Sequence, residues 1–288
     1  MKLLCRVMDV SLSGYYVWRK RLSRPPGLKK KRLADLIADC YWENRRRYGT
    51  RRIKAALAKT GLKVGRFAIG RVLGERNLKA IAPKRFVPRT TDSRGTQASP
   101  NLLKGLNTQE CAAAKIIIGD ITYLPLRNGR FCYLAVWQDK VTRRIIGWSL
   151  QDSMTAALVI SALQKAIRRG LIKAGAIIHS DRGSQYASGE FRALLQSSCL
   201  RQSMSGKGNC YDNAQAESFF SRFKAELIEN GMFEDVEQAK SEAFSYIEGY
   251  YNRTRLHSSL GYLSPLEFEM ELKSKNGGSR DSFLSTFS

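Results

Sequence analysis

Three carboxylates have the residue type and the spacing of a metal site: Asp120, Asp181 and Glu217. Asp120 lies in the apolar segment IIIGDITYL, where a charge costs free energy unless it has a partner. Asp181 directly follows the apolar segment AIIHS, and open α/β sheets build their sites at the carboxyl ends of strands. Glu217 follows Asp181 with 35 residues between them, on a predicted helix.

Such carboxylates repel one another unless a divalent cation neutralises them, and oxygen ligands favour Mg²⁺ or Mn²⁺ over zinc. Two ions of this kind can activate a water molecule or a 3′-hydroxyl group and stabilise the leaving oxygen of an in-line phosphoryl displacement. One site can therefore serve both hydrolysis and transesterification of DNA. Glu217 alone would be better explained as a solvated acid on an amphipathic helix, and it is the two aspartates that point to a metal site.

The helix that carries Glu217 is predicted over about residues 213–230. Asp212 can act as its N-cap with Gln215 as the capping-box partner, and Gly231 supplies a stop signal. An apolar stripe at helical spacing is expected to face the core, and it consists of Phe219, Phe223 and Leu227.

The elements before this helix predict an α/β fold. Three antiparallel strands are expected, then a helix, a buried strand, a second helix and a short strand. Their predicted ranges are 116–124, 131–138, 144–150, 155–169, 176–179, 188–197 and 200–204. This order matches a ribonuclease-H-like core with a mixed five-stranded sheet flanked by helices, which we place at residues 115–272. A further helix is expected over about 236–251, and the Ser- and Gly-rich tail 273–288 is expected to be disordered.

The charge of the chain is concentrated in its first third. Of 49 Lys and Arg residues, 26 fall within residues 1–100, together with only 6 of the 25 acidic residues. A basic module attached to a nearly neutral domain favours nucleic acid as the partner. An anionic membrane surface is the competing interpretation, but the sequence contains no strongly apolar stretch of spanning length and no signal peptide.

The basic module is predicted to be helical. Residues 1–24 form a helical segment whose pattern begins at the first residue, which indicates either an upstream partner or a frayed start. Residues 28–82 contain predicted helices over about 29–44, 50–59 and 66–77. The last two could form an ordinary helical hairpin, but the basic charge of the segment favours a DNA-binding helix-turn-helix. The candidate DNA contacts are Arg51, Arg52, Arg66 and Arg71. Residues 83–114 are predicted to be a linker.

Cysteine and histidine are too sparse and scattered for another kind of site. The six cysteines include no Cys-x-x-Cys pair, and there are two histidines, His179 and His257. Neither a zinc site nor a disulfide framework is supported, and reduced thiols in a cytoplasmic protein are the simplest interpretation.

Several longer segments of the sequence resemble a known family. They are DITY at 120–123, HSDRGSQY at 179–186, GNCYDNAQAESFFSRFKAEL at 208–227 and YYNRTRLHSSLGYLSP at 250–265. Together with SGYYVWRKR and YGTRRIKAAL near the amino terminus, they resemble the second-reading-frame product of insertion-sequence 3 family transposases, over about residues 4–269.

The resemblance implies a DDE transposase in which Asp120, Asp181 and Glu217 hold Mg²⁺ or Mn²⁺. It implies that Lys224 contacts the DNA end, and the Gly-rich approach from Gly206 is then expected to become ordered when DNA binds. The implied partners are double-stranded DNA, as terminal inverted repeats and as target, and a second copy of the chain in a dimer. An upstream first-reading-frame product, or a frameshift fusion with it, is also implied.

Other polar residues near these segments admit two interpretations each. His179 either orients a metal-bound group or makes a structural hydrogen bond at a strand end. Arg182 and its neighbours either touch DNA or form a turn. Arg255 and His257 either contact DNA or lock the last helix onto the core.

Two other functions remain open on the sequence alone. The first is a catalytically silent DNA-binding accessory or regulatory protein, because Ile117 and Ile118 replace a tryptophan that is common before the first aspartate in the family. The second is a ribonuclease-H-type nuclease acting on RNA–DNA hybrids, against which the helix-turn-helix argues.

Overall fold

The computed structural model of the chain describes residues 1–22, 28–83, 99–105, 115–206, 214–228 and 231–281. The chain forms two compact units, Met1–Ala80 and Ile81–Ser288. The predicted Asp212 cap and most of the Gly-rich approach after Gly206 lie outside the described residues. Within the described ranges no helix is long and apolar enough to cross a membrane.

The first unit is all helical. Its helices are α1 (Lys2–Val7), α2 (Leu12–Leu22), α3 (Leu28–Glu43), α4 (Thr50–Lys59) and α5 (Arg66–Glu75). Helices α3, α4 and α5 pack together, and each contributes one wholly buried isoleucine, namely Ile37, Ile53 and Ile69. Gly61 adopts a left-handed conformation (φ +84°) just after α4, where a side chain would be strained. The three predicted helices of this region are therefore confirmed, with α5 ending two residues early.

A five-stranded mixed sheet forms the centre of the second unit. Its strands are β1 (Ile116–Pro125), β2 (Phe131–Asp139), β3 (Ile145–Gln151), β4 (Ile177–Ser180) and β5 (Arg201–Met204). The order across the sheet is β3-β2-β1-β4-β5, with β1, β2 and β3 antiparallel and β4 and β5 parallel to β1. This confirms the predicted architecture.

Helices cover both faces of this sheet. One face packs against α6 (Ala156–Arg168), the four-residue α7 (Ser184–Ala187) and α8 (Gly189–Ser197). The other packs against α9 (Ala214–Leu227), α10 (Val236–Phe244) and the segment that follows it. Alternate residues of β2 serve the two faces, so Trp137 lies with α6 and Val136 lies with α9.

The glycine beside the first aspartate is required by packing. The ring of Trp137 lies against Gly119, and a β-carbon at position 119 would collide with that ring. The Trp137 indole N–H donates to the carbonyl of Val159 on α6 at 3.1 Å, which holds the ring in place. The strand segment that presents Asp120 is therefore held rigidly by the core.

The predicted helix over 236–251 is wrong in its second half. The α-helix ends at Phe244, and Ser245–Tyr251 is a π-helix. The wider π-helical turn places residues five apart near one another, so Tyr246 and Tyr251 both reach the core. The Tyr251 hydroxyl accepts a hydrogen bond from Gln138 Nε2 at 3.0 Å, a contact that helical periodicity cannot reveal.

Two predicted boundaries also differ from the structure. The backbone of helix α11 runs from Pro265 to Asp281, into the tail that we expected to be disordered. Ion pairs one turn apart support this helix, at 2.9 Å from Lys273 to Glu269 and 3.6 Å from Lys275 to Glu271. Residues 99–105 of the predicted linker pack on the core, where the Leu102 N–H donates to Ser203 Oγ at 3.0 Å.

Candidate active site

Asp120 and Asp181 lie side by side at the point where two parallel strands part. Strand β1 pairs with β4 up to Ile118 and His179. The same register carried two residues further sets Asp120 next to Asp181, which directly follows β4. The predicted convergence of these two acids is thus a consequence of parallel pairing.

The environment of the pair disfavours two negative charges. Burial raises the pKa of the Asp120 carboxyl well above its usual range, and the charges of Asp181 and then of Glu217 raise it further. Burial likewise raises the pKa of Asp181. Backbone N–H groups oppose these effects, with Ile121 donating to Asp120 at 2.9 Å and Gly183 donating to Asp181 at 3.0 Å.

Glu217 reaches the same region from the first turn of α9, where its side chain is exposed. Its charge is felt by Asp120, but less strongly than that of Asp181. Among the described residues, no three His, Cys, Asp or Glu side chains are close enough together to hold a metal ion. Two of the three acids nevertheless lie side by side, and nearby positive charge does not offset their repulsion. Their carboxylate oxygens are the ligands that a hard divalent cation prefers.

A buried hydroxyl group also lies near the two aspartates. Tyr186 is 2% exposed, and its hydroxyl has no hydrogen-bond partner among the described residues. Burial raises the pKa of this phenol well above its usual range, and the charges of Asp181 and Asp120 add to the effect. The described protein groups therefore leave one buried hydroxyl without a hydrogen bond beside two neighbouring carboxylates. This combination indicates a ligand site where β1 and β4 part.

Lys224 brings a positive charge near the acids. It lies two turns after Glu217 on α9 and is half-buried. Its ammonium nitrogen lies 4.2 Å from the centroid of the Tyr123 ring on β1. Burial lowers the pKa of Lys224, while the negative charge of Asp120 works in the opposite direction.

His179 has a structural role. It is wholly buried, with Nδ1 at 2.8 Å from Ser203 Oγ and Nε2 at 3.1 Å from Ser205 Oγ. Both ring nitrogens are thus engaged with the β5 end of the sheet. Of the two interpretations that the sequence allowed, the structure supports the hydrogen bond.

Each of the other candidate DNA contacts of the catalytic unit makes contacts within the fold. Arg182 is half-buried, and its Nε donates to the Ser205 carbonyl at 2.9 Å, which joins the ends of β4 and β5. Arg255 is 2% exposed and forms an ion pair with Glu226, which favours the packing interpretation of this residue. The ring of His257 packs edge-on against Tyr251 with centroids 4.9 Å apart, which favours the packing interpretation.

The arginines of the helical unit differ in how far they are held by their own fold. Arg51, Arg66 and Arg71 are exposed on α4 and α5. Arg52 is half-buried, with its guanidinium 5.7 Å from the ring centroid of Tyr48. Three of the four predicted contacts are therefore available to a large partner.

Two tyrosines of the site were missed on the sequence, although both belong to segments already singled out. Tyr123 ends DITY and Tyr186 ends HSDRGSQY. The available signal was their position, three and five residues after the first and second aspartates. Tyrosine in a strand or short helix is ordinarily a core residue, so position alone did not single these two out.

Three family models match the chain. An integrase core domain matches residues 112–210, a second integrase core domain matches 198–265, and an HTH-like domain matches 29–86. An integrase-type ribonuclease-H-like core with a preceding helix-turn-helix-like domain is the class that the fold and these matches define.

Known proteins are similar to the chain along almost its whole length. Transposase InsF for insertion sequence IS3A of Escherichia coli (strain K12) is 38% identical over 274 residues, which is 93% of each chain. The insertion element IS600 uncharacterized 31 kDa protein of Shigella sonnei is 37% identical, covering 92% of this chain and 97% of that one. The chain therefore belongs to the insertion-sequence 3 family of transposases and is a DNA transposase.

Among solved structures, the HTLV-2 integrase catalytic core domain in complex with magnesium is 19% identical, with a TM-score of 0.41. The match covers 54% of this chain and 95% of that one.

Proposed function

We propose that this transposase cuts and joins DNA strands at the ends of its insertion sequence, with Asp120, Asp181 and Glu217 as ligands of two Mg²⁺ or Mn²⁺ ions. The observation that carries the proposal is the pairing of Asp120 with Asp181, because burial and mutual repulsion raise the pKa of a carboxyl that the fold nevertheless holds in place. A divalent cation relieves both costs at once.

The reaction divides between the ions and the side chains. When bound, the ions supply Lewis acidity to the attacking and leaving oxygens of the phosphodiester. In each step one P–O bond forms as another breaks in line. Hydrolysis therefore releases a 3′-hydroxyl, and joining spends that hydroxyl to make a new phosphodiester. The rigid β1 segment at Gly119 and Asp120 fixes one ligand, and Glu217 joins it from the exposed first turn of α9.

DNA binding is proposed for both units. The exposed Arg51, Arg66 and Arg71 are placed to bind phosphates of the terminal inverted repeats from the helix-turn-helix. Lys224 and Arg182 are proposed to contact the DNA end beside the carboxylates. Two copies of the chain on DNA, with the target as a further duplex, complete the assembly that we propose. The upstream first-reading-frame product remains part of this proposal as an additional subunit or fused segment.

The test uses the purified full chain, DNA duplexes of its own element ends and Mn²⁺. We expect single-strand nicking and end joining by the unaltered protein. Asp120→Asn, Asp181→Asn and Glu217→Gln should each abolish both products while leaving duplex binding intact, because the three acids belong to the second unit and the helix-turn-helix arginines belong to the first.

Glu190→Gln is the matched control, since Glu190 is an exposed acid on α8. It should keep the activity of the unaltered protein. Full activity in any of the three ligand variants would refute the metal assignment. Preferential cleavage of RNA–DNA hybrids would favour a ribonuclease-H-type nuclease, and binding without any product would favour an accessory role.

A further inference from the structure

The ammonium group of Lys224 is held by an aromatic ring instead of an acid. Its nitrogen lies 4.2 Å from the centroid of the Tyr123 ring, well within the distance at which a cation is attracted to the face of a ring. Among the described residues, no carboxylate oxygen lies within 4.0 Å of this nitrogen, which is the distance of an ion pair. The ring gives the ammonium of this half-buried lysine a favourable contact in place of an acid.

An anionic partner is nevertheless near. The charge of Asp120 affects the pKa of Lys224, and Lys224 in turn lowers that of Asp120, so the two groups share one electrostatic environment. A direct ion pair between them would occupy a proposed metal ligand and neutralise the cation. The position over Tyr123 keeps the two groups apart. Because an ammonium has three N–H donors and a ring face takes up only part of them, the others remain available to phosphate oxygens.

Tyr123 is itself held in a defined position although it is 52% exposed. It stands on β1 three residues after Asp120, opposite Tyr133 of β2. The ring of Phe131, also from β2, meets it edge-on with centroids 5.4 Å apart and an interplanar angle of 85°. Two neighbouring exposed aromatic rings contribute little to the core, so their arrangement calls for another explanation.

We infer that Tyr123 is a positioning residue for Lys224, and that its ring presents the ammonium to a backbone phosphate of the DNA end and keeps it off Asp120. This inference rests on the proposed function. It assigns Tyr123 no contact with the reacting atoms. The ring, and not the hydroxyl, carries the role, which distinguishes it from a hydrogen-bonding tyrosine.

The first test uses DNA-free protein whose lysines carry ¹³C-labelled methyl groups. Lysine methyls that lie over a ring face shift upfield in the NMR spectrum, and Lys224→Arg identifies the Lys224 signal by its loss. Tyr123→Phe should keep the upfield shift and Tyr123→Leu should abolish it. An unchanged shift in Tyr123→Leu would overturn the inference without bearing on catalysis.

The second test measures binding and joining of element-end duplexes. Tyr123→Leu should lower end joining about tenfold, the scale of a partly desolvated cation–π contact, whereas Tyr123→Phe should stay within about twofold. In a Lys224→Met background the Tyr123→Leu change should add less than about twofold, because its effect acts through Lys224. An undiminished effect in that background would show that Tyr123 acts in another way.

Phe244→Leu is the matched control, since Phe244 is an exposed aromatic residue on α10 that is 58% exposed. It should leave both readouts unchanged. If Tyr123→Leu lowers the melting temperature markedly, Tyr123→Trp replaces it, and joining within about twofold of the unaltered protein is then expected. Should the unaltered protein join no DNA, the proposed function fails while the methyl shift and end binding still decide the role of Tyr123.

Discussion

Arg255 donates two hydrogen bonds to the carboxylate of Glu226, from Nη2 to Oε1 at 2.7 Å and from Nε to Oε2 at 3.1 Å. Both side chains are almost wholly buried, and the Tyr246 hydroxyl donates to the same carboxylate at 2.8 Å. The pair joins the end of α9 to the loop after the π-helix. The helix that carries Glu217 at its start is thus anchored near its other end.

Replacing Arg255 with methionine should destabilise the protein by about 3–5 kcal/mol, because it leaves the Glu226 charge buried without a partner. Urea unfolding at neutral pH measures this. Arg253→Met is the control, since Arg253 is exposed in the same loop, and it should stay within about 0.5 kcal/mol. If Arg255→Met kept full stability and lost only DNA affinity, the residue would be a DNA contact after all.

The pH dependence of stability should report the Asp120 site. Burial first, and Asp181 second, raise the pKa of Asp120 in the folded protein, so the folded state holds this proton more tightly than the unfolded state. The contribution is fully present below the unfolded pKa of about 3.9 and is lost as the pH rises through the folded value. In EDTA, Asp120→Asn should therefore flatten the fall in the free energy of unfolding as the pH rises above about 4.

At neutral pH the buried Asp120 carboxyl must either ionise or keep its proton, and both lower the free energy of unfolding. The same substitution should therefore leave the protein more stable than the unaltered chain at neutral pH. Asp152→Asn controls for the loss of an exposed carboxylate. A steeper pH dependence in Asp120→Asn would contradict the assigned sign.

The sequence predicted those features that depend on local pattern. Helix α4 matches its predicted range of 50–59, and Asp120 lies within an apolar strand and Asp181 directly after another, as their sequence context indicated. Helix α7 was missed since four residues are too few to show a period.

Contacts between distant elements were beyond sequence reasoning for a different reason. The approach of Lys224 to Tyr123 depends on the rotation of α9 against the edge of β1, and the burial of Arg255 depends on a π-helix that adds one residue per turn. Neither is fixed by periodicity within one element. The sequence therefore left two interpretations open for Arg255, and its ion-pair partner is an acid 29 residues away.

Divalent cations should stabilise the folded protein through the three acids. With free ion at about 100 times its dissociation constant, binding to the folded state alone adds about 2.7 kcal/mol to the free energy of unfolding. A titration with MgCl₂ or MnCl₂, followed by the thermal midpoint, measures this. The gain should vanish in the Asp120→Asn/Asp181→Asn double variant and shrink in Glu217→Gln. A gain of equal size in the double variant would place the bound ion elsewhere.

Binding of duplex DNA by the helix-turn-helix should depend on salt in a way that separates its arginines. Arg71 is exposed on α5, whereas Arg76, just after the same helix, forms an ion pair with Asp35 at 2.5 Å. Arg71→Ala and Arg66→Ala should each reduce the slope of log affinity against log salt by about one, and weaken all duplexes alike if they bind phosphates. Arg76→Ala should leave the slope nearly unchanged, because Asp35 already neutralises its charge. Fluorescence anisotropy between about 50 and 200 mM KCl resolves these slopes. A reduced slope for Arg76→Ala with none for Arg71→Ala would move the DNA to the α3 side of this unit.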